Sequence, residues 1–272
     1  MNKFLFVVFF LLLPCITVAE DAADPDTTDT VAPLEKPAHY TKVPVQKADF
    51  TIGEKMEFSI EFEGVSAGMG SLEVAPMETI NGRVCYHFVS RAKSAPFYSW
   101  LYKVDDRIES YMDKEKLESL RIVKKIREGK YKRDDTIEFL QDQQKVQKIT
   151  NKKPAELFDT WPGVLDILSA FFIARVIPLE VGKSFELPVY DIEKTYSLKI
   201  DVLAKETIRT RMGKMEAFKV RPDLKSMGLF KHKGKIDLWV SADGRCIPLL
   251  LRSTILVGAI EAVLVNYEVK KK

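Results

Sequence analysis

The run Met56-Glu57-Phe58-Ser59-Ile60-Glu61-Phe62-Glu63 places an apolar side chain at every second position and a polar one between. Successive side chains of a strand point to opposite faces, so this pattern specifies a β-strand with one dry face and one wet face. Turn signals recur outward from it. Gly64 to Gly70, Asn81-Gly82, Glu128-Gly129, Met212-Gly213, Asp243-Gly244 and Val257-Gly258 each separate two strand-like runs. Short connections of this kind join antiparallel neighbours, so hairpins dominate the predicted fold. One segment departs from period two. After Asp159, Thr160 and Pro162, which suit a helix start, Val164, Leu165, Leu168, Phe171 and Phe172 recur at helical spacing until Pro178. The sequence therefore predicts a helix over 162–176, with a second short helical turn around 96–101.

The segments on either side of that helix echo one another. Ile52-Gly53-Glu54-Lys55 is matched by Val181-Gly182-Lys183-Ser184, Gly82-Arg83 by Gly213-Lys214, and Arg107-Ile108-Glu109 by Lys235-Ile236-Asp237. A near-constant offset suggests a duplicated strand module with halves 50–150 and 178–272. The expected fold is mainly β: one curved antiparallel sheet or open β-barrel, with the central helix across its concave face.

The N-terminus has a different character. Lys3 precedes an apolar run from Phe4 to Leu13, too short for a spanning helix, and Thr17-Val18-Ala19 supplies small or modest residues before Glu20. This reads as a cleavable export signal over 1–19, and Pro14 before Cys15 argues against lipidation at that cysteine. Residues 20–49, rich in Asp, Ala, Thr and Pro, bury too little to repay the entropy of ordering and read as an acidic linker. Residues 50–272 then form a single β-rich domain of mildly basic charge, too weakly charged to imply nucleic acid. No later stretch has the apolar length of a membrane helix, so a soluble exported protein is expected.

Phe50-Thr51-Ile52-Gly53-Glu54-Lys55, the Gly64 to Gly70 hairpin, Tyr102-Lys103-Val104-Asp105-Asp106-Arg107-Ile108-Glu109-Ser110-Tyr111 and Ile126-Arg127-Glu128-Gly129-Lys130-Tyr131 carry a family resemblance. The chain resembles the bacterial domain-of-unknown-function family numbered 3108 over nearly all of 50–272. That resemblance implies a periplasmic or envelope location and supplies no catalytic residues.

The candidate sites each have a plain structural reading beside the functional one. Gly64-Val65-Ser66-Ala67-Gly68 matches a nucleophile-elbow pattern, but Met69 to Val74 reads as a strand where that elbow needs a helix, so a hairpin turn is expected. Asp105 and Asp106 cannot share a face of a strand. An ion-pair ladder from Asp105, Arg107 and Glu109 to Lys124, Arg127 or Arg133 is expected instead. His39, His87 and His232 lack metal-site spacing, and neither a metal nor another cofactor is called for. Cys85 and Cys246, each after a Gly-Arg turn, are explained by a disulfide or by two buried thiols. Arg121 to Lys153 carries eleven Lys or Arg against five Asp or Glu, a solvated face or an attraction to anionic headgroups.

Leu168, Phe171 and Phe172 of the helix, with Phe97 and Trp100 of the short turn, are the candidate wall of a ligand cavity. The leading function is non-catalytic binding of an apolar or amphiphilic ligand such as a lipid or acyl chain. An envelope assembly factor that binds another protein through its sheet edge or basic face is the alternative, and an enzyme without a recognisable motif is third. Intact mass of the exported protein checks the leader: the chain is expected to begin at Glu20, without a diacylglyceryl group on Cys15.

Overall fold

The computed structural model describes Val45 and residues 48–100, 102–191, 193–223, 235–254 and 258–270. The expected leader, most of the linker, Leu101, His39, His232 and Val257 lie outside these residues. Among the described residues the strands are β1 (Glu54–Phe62), β2 (Val65–Ile80), β3 (Arg83–Ser94), β4 (Asp105–Asp113), β5 (Ser119–Glu128), β6 (Tyr131–Leu140), β7 (Lys145–Thr150), β8 (Glu156–Asp159), β9 (Leu165–Asp166), β10 (Ser184–Asp191), β11 (Lys194–Thr210), β12 (Gly213–Pro222), β13 (Lys235–Ser241), β14 (Pro248–Thr254) and β15 (Ala259–Val269). Two short α-helices, α1 (Pro96–Ser99) and α2 (Ile167–Ala174), and a 3-10 turn over Gln141–Gln143 complete the list. All the strands join one open sheet in the order β8-β7-β6-β5-β4-β3-β2-β1-β15-β14-β13-β12-β11-β10-β9. The chain thus lays down two antiparallel meanders that meet where β1 pairs with β15, Phe58 opposite Leu264. Strands of the two meanders begin 128 to 130 residues apart: Glu54 and Ser184, Val65 and Lys194, Arg83 and Gly213, Asp105 and Lys235, Ser119 and Pro248, Tyr131 and Ala259.

The period-two pattern decides which face is inside. Met56, Phe58, Leu72, Val74, Tyr86, Phe88, Ile108 and Met112 alternate inward and share one core with Leu187, Val189, Leu198, Ile236 and Leu264 from the other meander. A sheet whose distant strands share a core must curl around it. Its two margins approach on the concave side, where Lys124 Nζ donates to Asp191 Oδ1 at 2.6 Å, Thr160 and Thr195 hydroxyls lie 2.8 Å apart, and Lys148 pairs with Glu193. The hairpin turns sit where glycine allows them. Asn81 and Gly82 both have positive φ, 50° and 78°, which a two-residue hairpin with the native twist requires. The turn expected over Gly64 to Gly70 is shorter than that: β2 resumes at Val65, so Ser66 is a strand residue and no nucleophile elbow forms.

The central helix is present but starts later than its sequence signals suggest. Asp166, not Asp159 or Thr160, is the N-cap, and Leu165–Asp166 first pair in parallel with β10. The early signals fail because Thr160 is tied to Gln144 and Thr195 rather than to a helix backbone. Ile167, Leu168, Ser169, Ala170, Phe172 and Ile173 are all buried, so α2 is an interior helix rather than an amphipathic cover. Phe172 stacks on Phe88 at 3.9 Å and 8°, and Phe50 meets Tyr86, Phe88 and Phe172 edge-on. Ala48 is also buried and its carbonyl accepts from Tyr86 Oη, so ordered structure begins before residue 50.

One carboxylate holds α2 in place. Asp166 is 1% exposed; its Oδ1 accepts from the Leu168 and Ser169 amides at 2.9 and 3.0 Å, and its Oδ2 from the Ser110 and Ser119 hydroxyls at 2.7 and 2.6 Å. The Asp166 amide donates back to Ser119 Oγ, and Ser169 Oγ lies 2.7 Å from Ser110 Oγ. Asp166→Ala removes a cap worth about 1 kcal/mol and orphans buried hydroxyls that cost about 1–3 kcal/mol each. A loss of roughly 3 kcal/mol in urea unfolding is therefore expected, well above that of an exposed substitution such as Asp142→Ala.

Candidate functional site

The concave side is filled unevenly. Phe50, Tyr86, Phe88 and Phe172 pack solidly, whereas beside α2 the strands β10 to β15, with residues of β1 to β3, line an apolar cavity of about 140 Å³. The helix contributes Ile167, Ala170, Phe171 and Ala174; the sheet contributes Phe58, Leu72, Leu198, Ile200, Val220, Ile236, Leu238 and Leu251. Ala170 and Ala174, four residues apart, leave the hollow because they lie on one helix face and fill little of it. Polar side chains at the wall are few: Ser90, Arg175 and the Cys246 thiol.

Arg175, Leu179 and Cys246 also line a second, polar chamber of about 690 Å³ that includes Asp49, Thr51, Glu54, Arg245 and Tyr267. The apolar cavity and the polar chamber are therefore neighbours that share these three residues as a common wall. Arg175 stands at their boundary in a bidentate pair with Glu54, 2.8 and 2.9 Å, buried on both sides, while Tyr267 Oη donates to Glu54 at 3.1 Å. Arg175 Nε also donates to the Cys246 carbonyl, and its guanidinium lies 5.5 Å from the Phe172 ring centroid. Removing either partner of this pair would strand a buried charge.

Of the five residues expected to form the wall, only Phe171 lines the cavity. Leu168 and Phe172 belong to the solid core, on the side of α2 that faces β3 and β4. Phe97 and Trp100 are 74% and 78% exposed, because α1 is a single turn on the sheet rim with no buried residue. Of the two readings of the cysteines, a disulfide or two buried thiols, the structure has the second: Cys85 and Cys246 are free and buried. Cys85 packs with Ile80, Tyr111 and Leu120 on the outer face, whereas Cys246 faces the cavity, so the sheet separates them. Burial pushes both thiols up.

The charged residues also pair differently from expectation. Arg107 binds Glu109 on its own strand, and Glu109 reaches His87, which is held between Glu78 and Glu109 and stacked on Tyr111. Lys124 turns inward to Asp191, Arg127 pairs with Asp134 and Arg133 with Asp135, so the ladder to β4 does not form.

A carboxyl pair went unread in the sequence. Asp106 points inward, 1% exposed, with Oδ1 accepting from the Arg127 amide, and it faces Glu128 across the Val104–Glu128 bridge. Burial pushes Asp106 up to about 6; burial and the neighbouring Asp106 charge push Glu128 up to about 7, with Tyr102 opposing. Both values lie above their ordinary range, so the folded chain binds more protons than the unfolded one, and this pair's contribution to stability is lost as pH rises from about 4 to about 7. Glu128→Gln is accordingly expected to melt with the wild type near pH 4 and above it near pH 8, measured by thermal unfolding across that range.

Among solved structures, the chain aligns at 10% identity and a TM-score of 0.50 with the crystal structure of a beta-barrel-like protein of the domain of unknown function DUF1849 from Brucella abortus, covering 82% of this chain and 100% of that one. A candidate exported protein with a YmcC-like fold from Bacteroides fragilis aligns at 9% identity and TM-score 0.37, covering 81% and 100%. A candidate lipoprotein from Parabacteroides distasonis aligns at 10% identity and TM-score 0.36, also covering 81% and 100%. No curated protein is significantly similar in sequence. The model of the family of proteins of unknown function DUF3108 matches residues 57–265, nearly the whole described sheet, and the chain belongs to that family.

Proposed function

We propose that this protein is a non-catalytic binding module of the cell envelope that holds an amphiphilic, lipid-like ligand with its apolar end beside α2 and its polar end in the adjoining chamber. The observation that carries this reading is the adjacency of an almost wholly apolar cavity and a polar one, which share Arg175, Leu179 and Cys246 in their walls. An apolar cavity of about 140 Å³ is near the size that admits a single ring, roughly 150 Å³ in a well-packed core. Each methylene placed there contributes about 0.8 kcal/mol, and a longer chain extends past Leu179 into the chamber. The envelope location rests on the leader read over residues 1–19. Among the described residues no helix is long and apolar enough to cross a membrane.

Filling the hollow tests the proposal. Ala174→Phe replaces a partly buried helix residue that faces the cavity, and is expected to weaken a fluorescent fatty-acid probe at least about tenfold. Overpacking costs on the order of 1–3 kcal/mol, which the fold should survive. Phe172→Ala, by contrast, removes a core ring and is expected to lower stability by about 3–5 kcal/mol while leaving the cavity lining intact. Wild-type protein that binds neither fatty-acid nor lysophospholipid probes, and that carries no extra mass when purified from its own cells, would end this reading.

A further inference from the structure

The aromatic side chains that fail to reach the cavity are exposed together. Phe97 of α1 and Trp100, its C-cap, stand three apart and so lie on one side of this single turn. Beside them run Val65 and Met69 of β2, 55% and 46% exposed, with Met69 opposite Lys93 and the Ala95 amide bonded to the Ala67 carbonyl. Large apolar residues exposed singly need no explanation, but four in adjacent elements make a patch.

Cations surround this patch. Gly129 donates its amide to the Lys103 carbonyl at 2.7 Å, which draws the β5–β6 hairpin against the segment after α1. The approach is close enough that a Cβ at Gly129, already at φ +58°, would lie 2.9 Å from the Tyr102 ring. Lys103, Lys130 and Lys132 are thereby brought to the same end of the sheet as Lys93, and all four are exposed. None of them is ion-paired to a described residue, in contrast to Arg107, Arg121, Arg127 and Arg133 of the same strands. Exposed acids here are Glu63, whose Oε1 accepts from the Ala259 amide, Asp105, and Asp134 of β6, which is paired with Arg127.

Tryptophan and phenylalanine flanked by lysines match the chemistry of a bilayer interface, where rings enter the headgroup boundary and ammonium groups meet lipid phosphates. We propose that α1, the start of β2 and the β5–β6 hairpin form a peripheral docking surface for anionic lipid bilayers. This surface lies at the end of the sheet opposite the polar chamber, since β3 leads into α1 where β1 ends while Glu54, at the start of β1, lines the chamber. The inference therefore stands apart from the ligand reading: docking and cavity binding can fail separately.

The test uses the chain from Glu20 onward, which contains every described residue and omits the apolar leader. Co-sedimentation is measured with vesicles of phosphatidylcholine alone and with phosphatidylglycerol added. The wild type is expected to bind the anionic vesicles, to bind the neutral ones weakly, and to release as salt is raised past the screening range. Trp100 emission should shift to the blue on binding, and that shift should vanish in Trp100→Phe. Phe97→Ser with Trp100→Ser, and separately Lys103→Glu with Lys130→Glu and Lys132→Glu, should each lower vesicle affinity by about tenfold or more. These side chains are exposed, so unchanged urea midpoints certify the fold. Absence of wild-type binding to anionic vesicles, or binding that survives both sets of substitutions, overturns the proposal. So does a concentration-dependent dimer that the aromatic pair of substitutions breaks, because the patch would then serve a second copy of the chain.

Discussion

A buried carboxylate with no positive partner among the described residues sets where the rest of this molecule can lie. Asp166 ends the chain's crossing from one meander to the other, and its four hydrogen bonds come from two directions: two amides of the helix it starts and two hydroxyls of strands β4 and β5. An interior charge is tolerated only when its lone pairs are met, so the helix cannot slide or rotate without stranding it. Gln141 reinforces the same point from a third element by donating to the Ser119 and Val164 carbonyls at 2.7 and 3.0 Å. The other end of α2 is held by Arg175 on Glu54 of β1. Polar contacts at both ends thus place an apolar rod inside an apolar trough, where hydrophobic burial alone specifies no orientation.

Because the helix is pinned against β3 and β4, it completes the first meander's core and leaves the second one partly open. Aromatic rings occupy the first side, with Phe172 against Phe88. Ala170 and Ala174 face the other, where aliphatic strand residues stand back. Two meanders of matching strand spacing therefore have unlike interiors. The asymmetry comes from the two unlike faces of eight residues of helix and from the strand residues each face meets.

The sheet was legible in the sequence because its evidence is local. Met56 to Glu63 alternates cleanly, and Asn81-Gly82 carries its turn type in two residues. The helix was legible as an element but not at its start, since Thr160 and Asp159 mimic a cap that tertiary contacts assign to Asp166. The site was harder to read. Phe171 was identifiable as a large apolar residue on a helix, but so were Leu168 and Phe172, and only the tilt of the helix in the trough separates lining from core. The alanines that make the cavity contribute by being small, which a search for conspicuous side chains passes over. Asp106 was set aside because its neighbour Asp105 points the other way; its true companion, Glu128, is apparent only once the register of β4 on β5 is known. The cysteines gave no sign of lying on opposite faces, because that depends on where Cys246 sits at the edge of the cavity.

An apolar void has a volumetric meaning as well as an energetic one. Unfolding abolishes internal empty space, and hydrostatic pressure favours whichever state occupies less volume. Pressure is accordingly expected to act first on the side of α2 that carries Ala170 and Ala174, ahead of the aromatic-packed side. Material lodged beside Ala170 and Ala174 would act as a strut, hardening the molecule against pressure without adding a single hydrogen bond.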